Sequence, residues 1–146
     1  MAIQLREMGF DPCVELAAYQ DGVVGRRGQY GAVISFVGTM RDFNDDRAVQ
    51  AMTLEHYPGM TEKHLREICA EAERQWDVLD VLLIHRIGEV RPGDPIVLVA
   101  VWSVHRAAAF EACRYLIEEL KSRAPFWKKE RIHETSRWVE HNTPAA

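Results

Sequence analysis

Four lysines occur in the 146 residues, and three of them, Lys121, Lys128 and Lys129, fall within nine positions. Pro125 ends whatever helix precedes it and begins an extended stretch, so the chain turns between Lys121 and Lys128. Lys121 follows Ile117 by four residues, which sets it beside an apolar face. Lys128 alternates with Phe126 and Glu130. A partly buried amine either gives up its proton and acts as nucleophile or base, or stays charged and holds an oxyanion. Glu130, on the same face, would keep Lys128 protonated or orient it. The plainer alternative is a set of lysines whose stems lie on apolar surface while their heads reach water.

His105-Arg106 forms a second candidate, where an apolar run ends and a helix begins. A helix N-terminus offers free N–H groups and a positive pole, so cations there cost stability unless an anion joins them. The alternative has both side chains in solvent or paired with Glu111. Arg41 closes a strand just after Gly38, a position from which a guanidinium can meet a phosphate or carboxylate. His56, His85 and Arg86 lie inside predicted strands and are assigned structural hydrogen bonds. No His/Cys/Asp/Glu grouping has metal-ligand spacing, no serine sits in a nucleophile elbow, and both glycine-rich phosphate-loop patterns are missing. No metal and no cofactor are expected.

The elements that must hold these groups follow from periodicity. Asp11 and Pro12 open a short helix over 11–20, and 21–28 reads as loop. Tyr30–Thr39 is β-branched and aromatic, hence a strand, followed by a charged turn at 42–47 and a strand over 49–57. Thr61 is placed to cap a helix over 62–76, where Leu65, Ile68, Cys69, Ala72 and Trp76 recur every three or four residues. Val78–Ile87 is a strand, Pro92-Gly93-Asp94 a turn, and Pro95–Trp102 an apolar run fit for a central strand covered on both faces. The second long helix spans 106–123, with Ala109, Phe110, Cys113, Leu116, Ile117 and Leu120 toward the core. Residues 126–132 are extended, and 137–140 form a last short strand. Two strand pairs joined by short connections favour antiparallel neighbours. The fold class is therefore α+β, one domain over 1–146, rather than a doubly wound parallel fold.

Charge narrows the function. The formal net charge is −4, which argues against a surface built to grip nucleic acid. That figure averages a +4 stretch from Lys121 to Arg137 and a remainder of −8. Three cysteines without a Cys-x-x-Cys pair imply no disulfide framework, and Cys69 and Cys113 read as small buried hydrophobes. Neither a signal peptide nor an apolar run of the ~20 residues that spans a bilayer is present, so no membrane is expected and the chain reads as cytoplasmic.

Several stretches together resemble one family. Phe36-Val37-Gly38-Thr39-Met40-Arg41, Leu54-Glu55-His56-Tyr57-Pro58-Gly59-Met60, His85-Arg86-Ile87-Gly88-Glu89, Ser103-Val104-His105-Arg106, Ala109-Phe110-Glu111 and Ala124-Pro125-Phe126-Trp127-Lys128-Lys129-Glu130 are similar to the large, catalytic subunit of molybdopterin synthase. The resemblance implies an α/β hammerhead-like fold, with a mostly antiparallel sheet, two long helices and a small antiparallel subdomain. It implies transfer of two sulfurs to a cyclic pyranopterin monophosphate, making the dithiolene of molybdopterin. The sulfur would arrive as a thiocarboxylate on the Gly-Gly tail of a small ubiquitin-like subunit, with two large subunits at the centre of a heterotetramer. Carried over by position, Thr39, Met40, Arg41, His105, Arg106, Lys121, Lys128, Lys129 and Glu130 would form the substrate pocket, drawn from both protomers, with Lys121 and Lys128 catalytic. This chain has Thr39 where many relatives carry a basic residue. A non-catalytic module that docks the same tail and a small nucleic-acid binder using the basic stretch are the competing readings.

Overall fold

The apolar run beginning at Pro95 becomes β8 (Pro95–Ser103), and its neighbours explain why no polar residue interrupts it. β8 lies between β6 (Val78–Arg86) and β2 (Ala32–Thr39) and is antiparallel to both. Its side chains alternate between two cores, as a pleated strand requires. Val97, Val99 and Val101 pack with residues of α2 (Met60–Gln75) and α3 (Arg106–Arg123), whereas Leu98, Ala100 and Trp102 pack with Phe10 and with Leu16 and Tyr19 of α1 (Pro12–Gly22). The expectation of a central strand covered on both faces is met. The computed structural model describes residues 1–22, 27–44, 47–132 and 135–139.

The first sheet has the order β1-β6-β8-β2, where β1 (Ala2–Arg6) is an addition to the expected elements and runs parallel to β6. A smaller antiparallel sheet has the order β10-β9-β5-β7, made from β10 (Thr135–Trp138), β9 (Phe126–Ile132), β5 (Ala51–His56) and β7 (Gly88–Val90). Met40, Val49, Met52, Leu54 and Val90 form its core. This is the α+β architecture expected, with antiparallel pairing dominant and two long helices. Among the described residues no helix is long and apolar enough to cross a membrane.

Several local expectations are corrected. β2 and β5 are not neighbours: they belong to different sheets. The chain leaves the first sheet at a bulge between Gly38 and Thr39. Met40 is then pinned by two backbone hydrogen bonds, its N–H to Asp94 O at 2.9 Å and its carbonyl from Gly93 N–H at 2.8 Å. The stretch read as a charged turn contains a two-stranded ladder, β3 (Phe43–Asn44) with β4 (Arg47–Ala48); residues 45 and 46 lie outside the described residues. The other expected pair, β6 with β8, is antiparallel as read.

β7 was not foreseen; Gly88, at φ +80°, takes the chain out of β6. Gly59 rather than Thr61 is the N-cap of α2, and its N–H donates to Glu62 Oε2. Thr61 is fully buried instead: its hydroxyl accepts from Tyr57 N–H at 3.0 Å and donates to Pro125 O at 3.2 Å. The short first helix runs to Gly22, past the predicted end, with Asp11 Oδ1 accepting from the N–H groups of Cys13 and Val14 as its cap. The last strand begins at Thr135, and Glu140 lies outside the described residues, as do 23–26 of the predicted loop. Phe110 is 59% exposed, and Ala112 takes a core position in its place.

Candidate active site

A pocket of about 180 Å³ opens where the two sheets meet the last turn of α3. Three segments supply its polar wall. Thr39, Met40 and Arg41 come from the bulged end of β2, where Gly38 admits the close approach: a Cβ there would stand 2.9 Å from Val97 Cγ1. Lys121 comes from the last turn of α3, where the negative pole of the helix favours a cation. Lys128 and Glu130 come from β9, on the same parity as Phe126, which also lines the pocket. Six of the nine residues singled out by sequence thus meet in one place.

The other three do not line it. Lys129 is on the opposite face of β9, exposed, with its ammonium 5.5 Å from the centre of the Trp138 ring. His105 and Arg106 are exposed at the far end of α3. Fifteen residues of helix separate Arg106 from Lys121, about 22 Å along the axis.

The pocket's electrostatics favour an anion. Arg41, Lys121 and Lys128 face a single lining carboxylate, Glu130, which is buried and accepts 3.1 Å contacts from Arg137 Nε and Nη2. Burial holds the Lys128 ammonium below its usual pKa; Lys121 and Arg41 push the same way, while Glu130 opposes them. An incoming anion would offset both by favouring the charged amine.

His85 also lines the pocket, a role beyond the structural hydrogen bond read from sequence. That bond is present, with Nδ1 2.6 Å from Arg86 O, so Nδ1 carries the proton and Nε2 the lone pair. The ring stacks on Phe126 with centroids 3.9 Å apart and planes at 10°. Only sheet-against-sheet packing makes His85 a pocket residue, and no local pattern in β6 signals it.

Burial, with Lys128 nearby, holds the His85 imidazole down at about 4, against 6.5 in the unfolded chain. Between these values the unfolded chain binds a proton that the folded one refuses. Stability is therefore lost as pH falls from 6.5 to 4, by about 3 kcal/mol at the full shift. Urea unfolding across that window should show the fall in wild type and a clearly smaller one in His85→Phe. An equal fall in both would assign the acid sensitivity elsewhere.

Comparison with known proteins finds relatives along most of the chain. The model of the MoaE protein family matches residues 11–123. The molybdopterin synthase catalytic subunit of Pseudomonas aeruginosa is 54% identical over 140 residues, covering 96% of this chain and 91% of that protein. The molybdopterin biosynthesis MoaE protein from Burkholderia ambifaria superposes with a TM-score of 0.78 at 46% identity, over 95% of this chain and 89% of its own. The crystal structure of molybdopterin synthase from Staphylococcus aureus gives a TM-score of 0.72 at 36% identity, over 77% and 82% of the two chains. With the family model matching most of its length and relatives this similar, the chain belongs to the MoaE protein family.

Proposed function

We propose that residues 1–146 act as the catalytic, large subunit of a molybdopterin synthase, transferring sulfur to cyclic pyranopterin monophosphate to form the dithiolene of molybdopterin. Family membership supports the reaction. The observation that carries the site is the convergence of Arg41, Lys121 and Lys128 on one pocket that Glu130 also lines. Both reactants are anions: a phosphorylated pterin and a thiocarboxylate. Arg41 holds phosphate or the polar pterin edge, with Thr39 and Met40 shaping that end. Lys121 and Lys128 stabilise the charge that develops as sulfur bonds to a substrate carbon, that carbon's C–O bond breaks with release of its oxygen, and the acyl group leaves for water. Each turn leaves one sulfur on the substrate and one carboxylate on the carrier.

The sulfur donor in this reading is a small ubiquitin-like subunit whose Gly-Gly tail reaches the pocket, and the assembly is a heterotetramer centred on two copies of this chain. His105 and Arg106 then act on the substrate bound by the other copy, because one chain cannot bring them to Lys121. The reaction is tested by mixing the purified chain with a thiocarboxylated small subunit and cyclic pyranopterin monophosphate. Dithiolene product is expected, with carboxylate accumulating on the carrier. Tail binding without product would leave a docking module instead. Steep salt dependence of nucleic-acid binding would favour the third reading.

A further inference from the structure

Glu130 lines a pocket whose other charged side chains, Arg41, Lys121 and Lys128, are cations. Its two cross-strand neighbours differ in kind. On β5 the residue opposite it is Met52, whose side chain cannot offset a carboxylate; on β10 it is Arg137. Directly opposed residues of an antiparallel pair share a face of the sheet. Arg137 therefore reaches Glu130 across the ladder, and its Nε and Nη2 both stand 3.1 Å from Glu130 Oε2. Glu130 is 4% exposed, so salt in the solvent screens this pair little. Arg137 is half-buried and does not line the pocket. Just beyond it the same stretch closes the wall: Val139 lines the pocket, and its N–H donates to Lys128 O at 2.9 Å.

We propose, on the sulfur-transfer reading above, that Arg137 is a positioning residue of the reaction. From outside the pocket it grips Glu130, fixing that carboxylate on the wall and drawing part of its negative charge away from the lysines. A guanidinium suits the task, because two N–H groups of one rigid fork converge on a single oxygen.

The charged and titratable groups around Lys128 come from several elements. Lys121 belongs to α3, Arg41 follows β2, His85 is on β6, and Glu130 is on the strand of Lys128 itself. On β5, Leu54 is opposite Lys128, and His56 lies two residues along on the same face. Arg137 on β10 stands behind Glu130. Glu130 is the group in this set that favours the charged form of Lys128, whereas Lys121 and Arg41 disfavour it. Acting on the pocket alone, the Glu130 carboxylate would offset a cation that an incoming phosphate or thiocarboxylate has to meet. With Arg137 behind it, that carboxylate is shared between two cations, and more of the lysine charge is left for the substrate.

Because the chain has four lysines, lysine labelled with carbon-13 at Cε gives a spectrum simple enough to follow each one, with Lys128 assigned by its loss in Lys128→Met. Arg137→Gln should raise the pH midpoint of the Lys128 signal, since Glu130 then acts on Lys128 undivided. It should also weaken binding of cyclic pyranopterin monophosphate, measured by calorimetry without any carrier, by about tenfold. Arg137→Lys keeps the charge and should recover most of both. In a Glu130→Gln background the Arg137→Gln change should alter affinity by less than about twofold, because its target is gone. A folded Arg137→Gln protein with the Lys128 midpoint of wild type would overturn the proposal, leaving a contact that merely ties β10 to β9. An equal loss of affinity in the Glu130→Gln background would overturn it too, by setting Arg137 on the ligand itself. If Arg137→Gln alone does not fold, the neutral pair Glu130→Gln/Arg137→Gln compared with Glu130→Gln decides between these outcomes. Wild-type protein that binds no pterin would instead sink the functional reading, and the lysine titration would still report on Arg137 and Glu130.

Discussion

Lys121→Ala is expected to lower sulfur transfer by at least ~10²-fold, the scale seen when one preorganised stabiliser of developing charge is removed. Its melting temperature should stay close to that of wild type. Lys121 is exposed in the last turn of α3, where its truncation gives up a small helix-pole contribution, and Arg123 remains in the same turn. Lys128 is different in kind. It is half-buried, and its ammonium is disfavoured by that burial, so Lys128→Met should lose transfer without melting lower. Single-turnover product formation and thermal melts on the same preparations check both. A Lys121→Ala protein that turns over normally would remove that side chain from the mechanism, and an unfolded one would move it to the scaffold.

Trp102→Ala should be the costliest single change to the fold, at about 3–5 kcal/mol, or a fall of roughly 10 °C in melting temperature. Trp102 is fully buried in the core beneath α1 and packs on Tyr19 with ring centroids 5.3 Å apart. Its indole N–H, however, finds no acceptor among the described residues. A buried donor without a partner is itself destabilising by about 1–3 kcal/mol. Trp102→Phe removes that donor while keeping most of the ring contact, so it should cost less than half as much as the alanine change. Denaturant unfolding of the two variants separates the terms. Equal losses would mean that the indole N–H is solvated after all.

The parts of the fold readable in sequence were those whose reasons are local. The three-and-four spacing through Leu65, Ile68, Cys69 and Ala72 required an amphipathic helix, and the unbroken run from Ile96 to Val101 required cover on both faces. β1 was missed because Ala2 to Arg6 is short and its partner, β6, lies most of a chain length away. Phe110 was read as core because helical period places a side chain on a stripe but cannot say whether the stripe ends in core or in an open groove. The pocket divided in the same way. Alternation put Lys128 on the face of Phe126 and Glu130, the face that lines the pocket, but left open a lysine whose head simply reaches water. Lys129, one residue on, has the opposite face by the same rule. His105 and Arg106 entered the proposed pocket through family resemblance alone, and the length of α3 shows why one copy cannot hold all nine residues together. His85 gave no local sign, because its neighbours in space come from β9.

The order of pairing in the smaller sheet has a consequence for how the protein is made. β9 bonds to β5, with Glu130 opposite Met52 and Lys128 opposite Leu54, so the strand that carries the lysine follows α3 in the chain and must close on one that precedes α2. Contacts this remote in sequence are slow to form, because the intervening chain must be ordered first. A nascent chain can therefore assemble β2, β6, β8 and both long helices before any anion pocket exists. Lys128 and Glu130 reach the pocket wall only when β9 has paired with β5, so a chain made no further than α3 lacks that part of the wall.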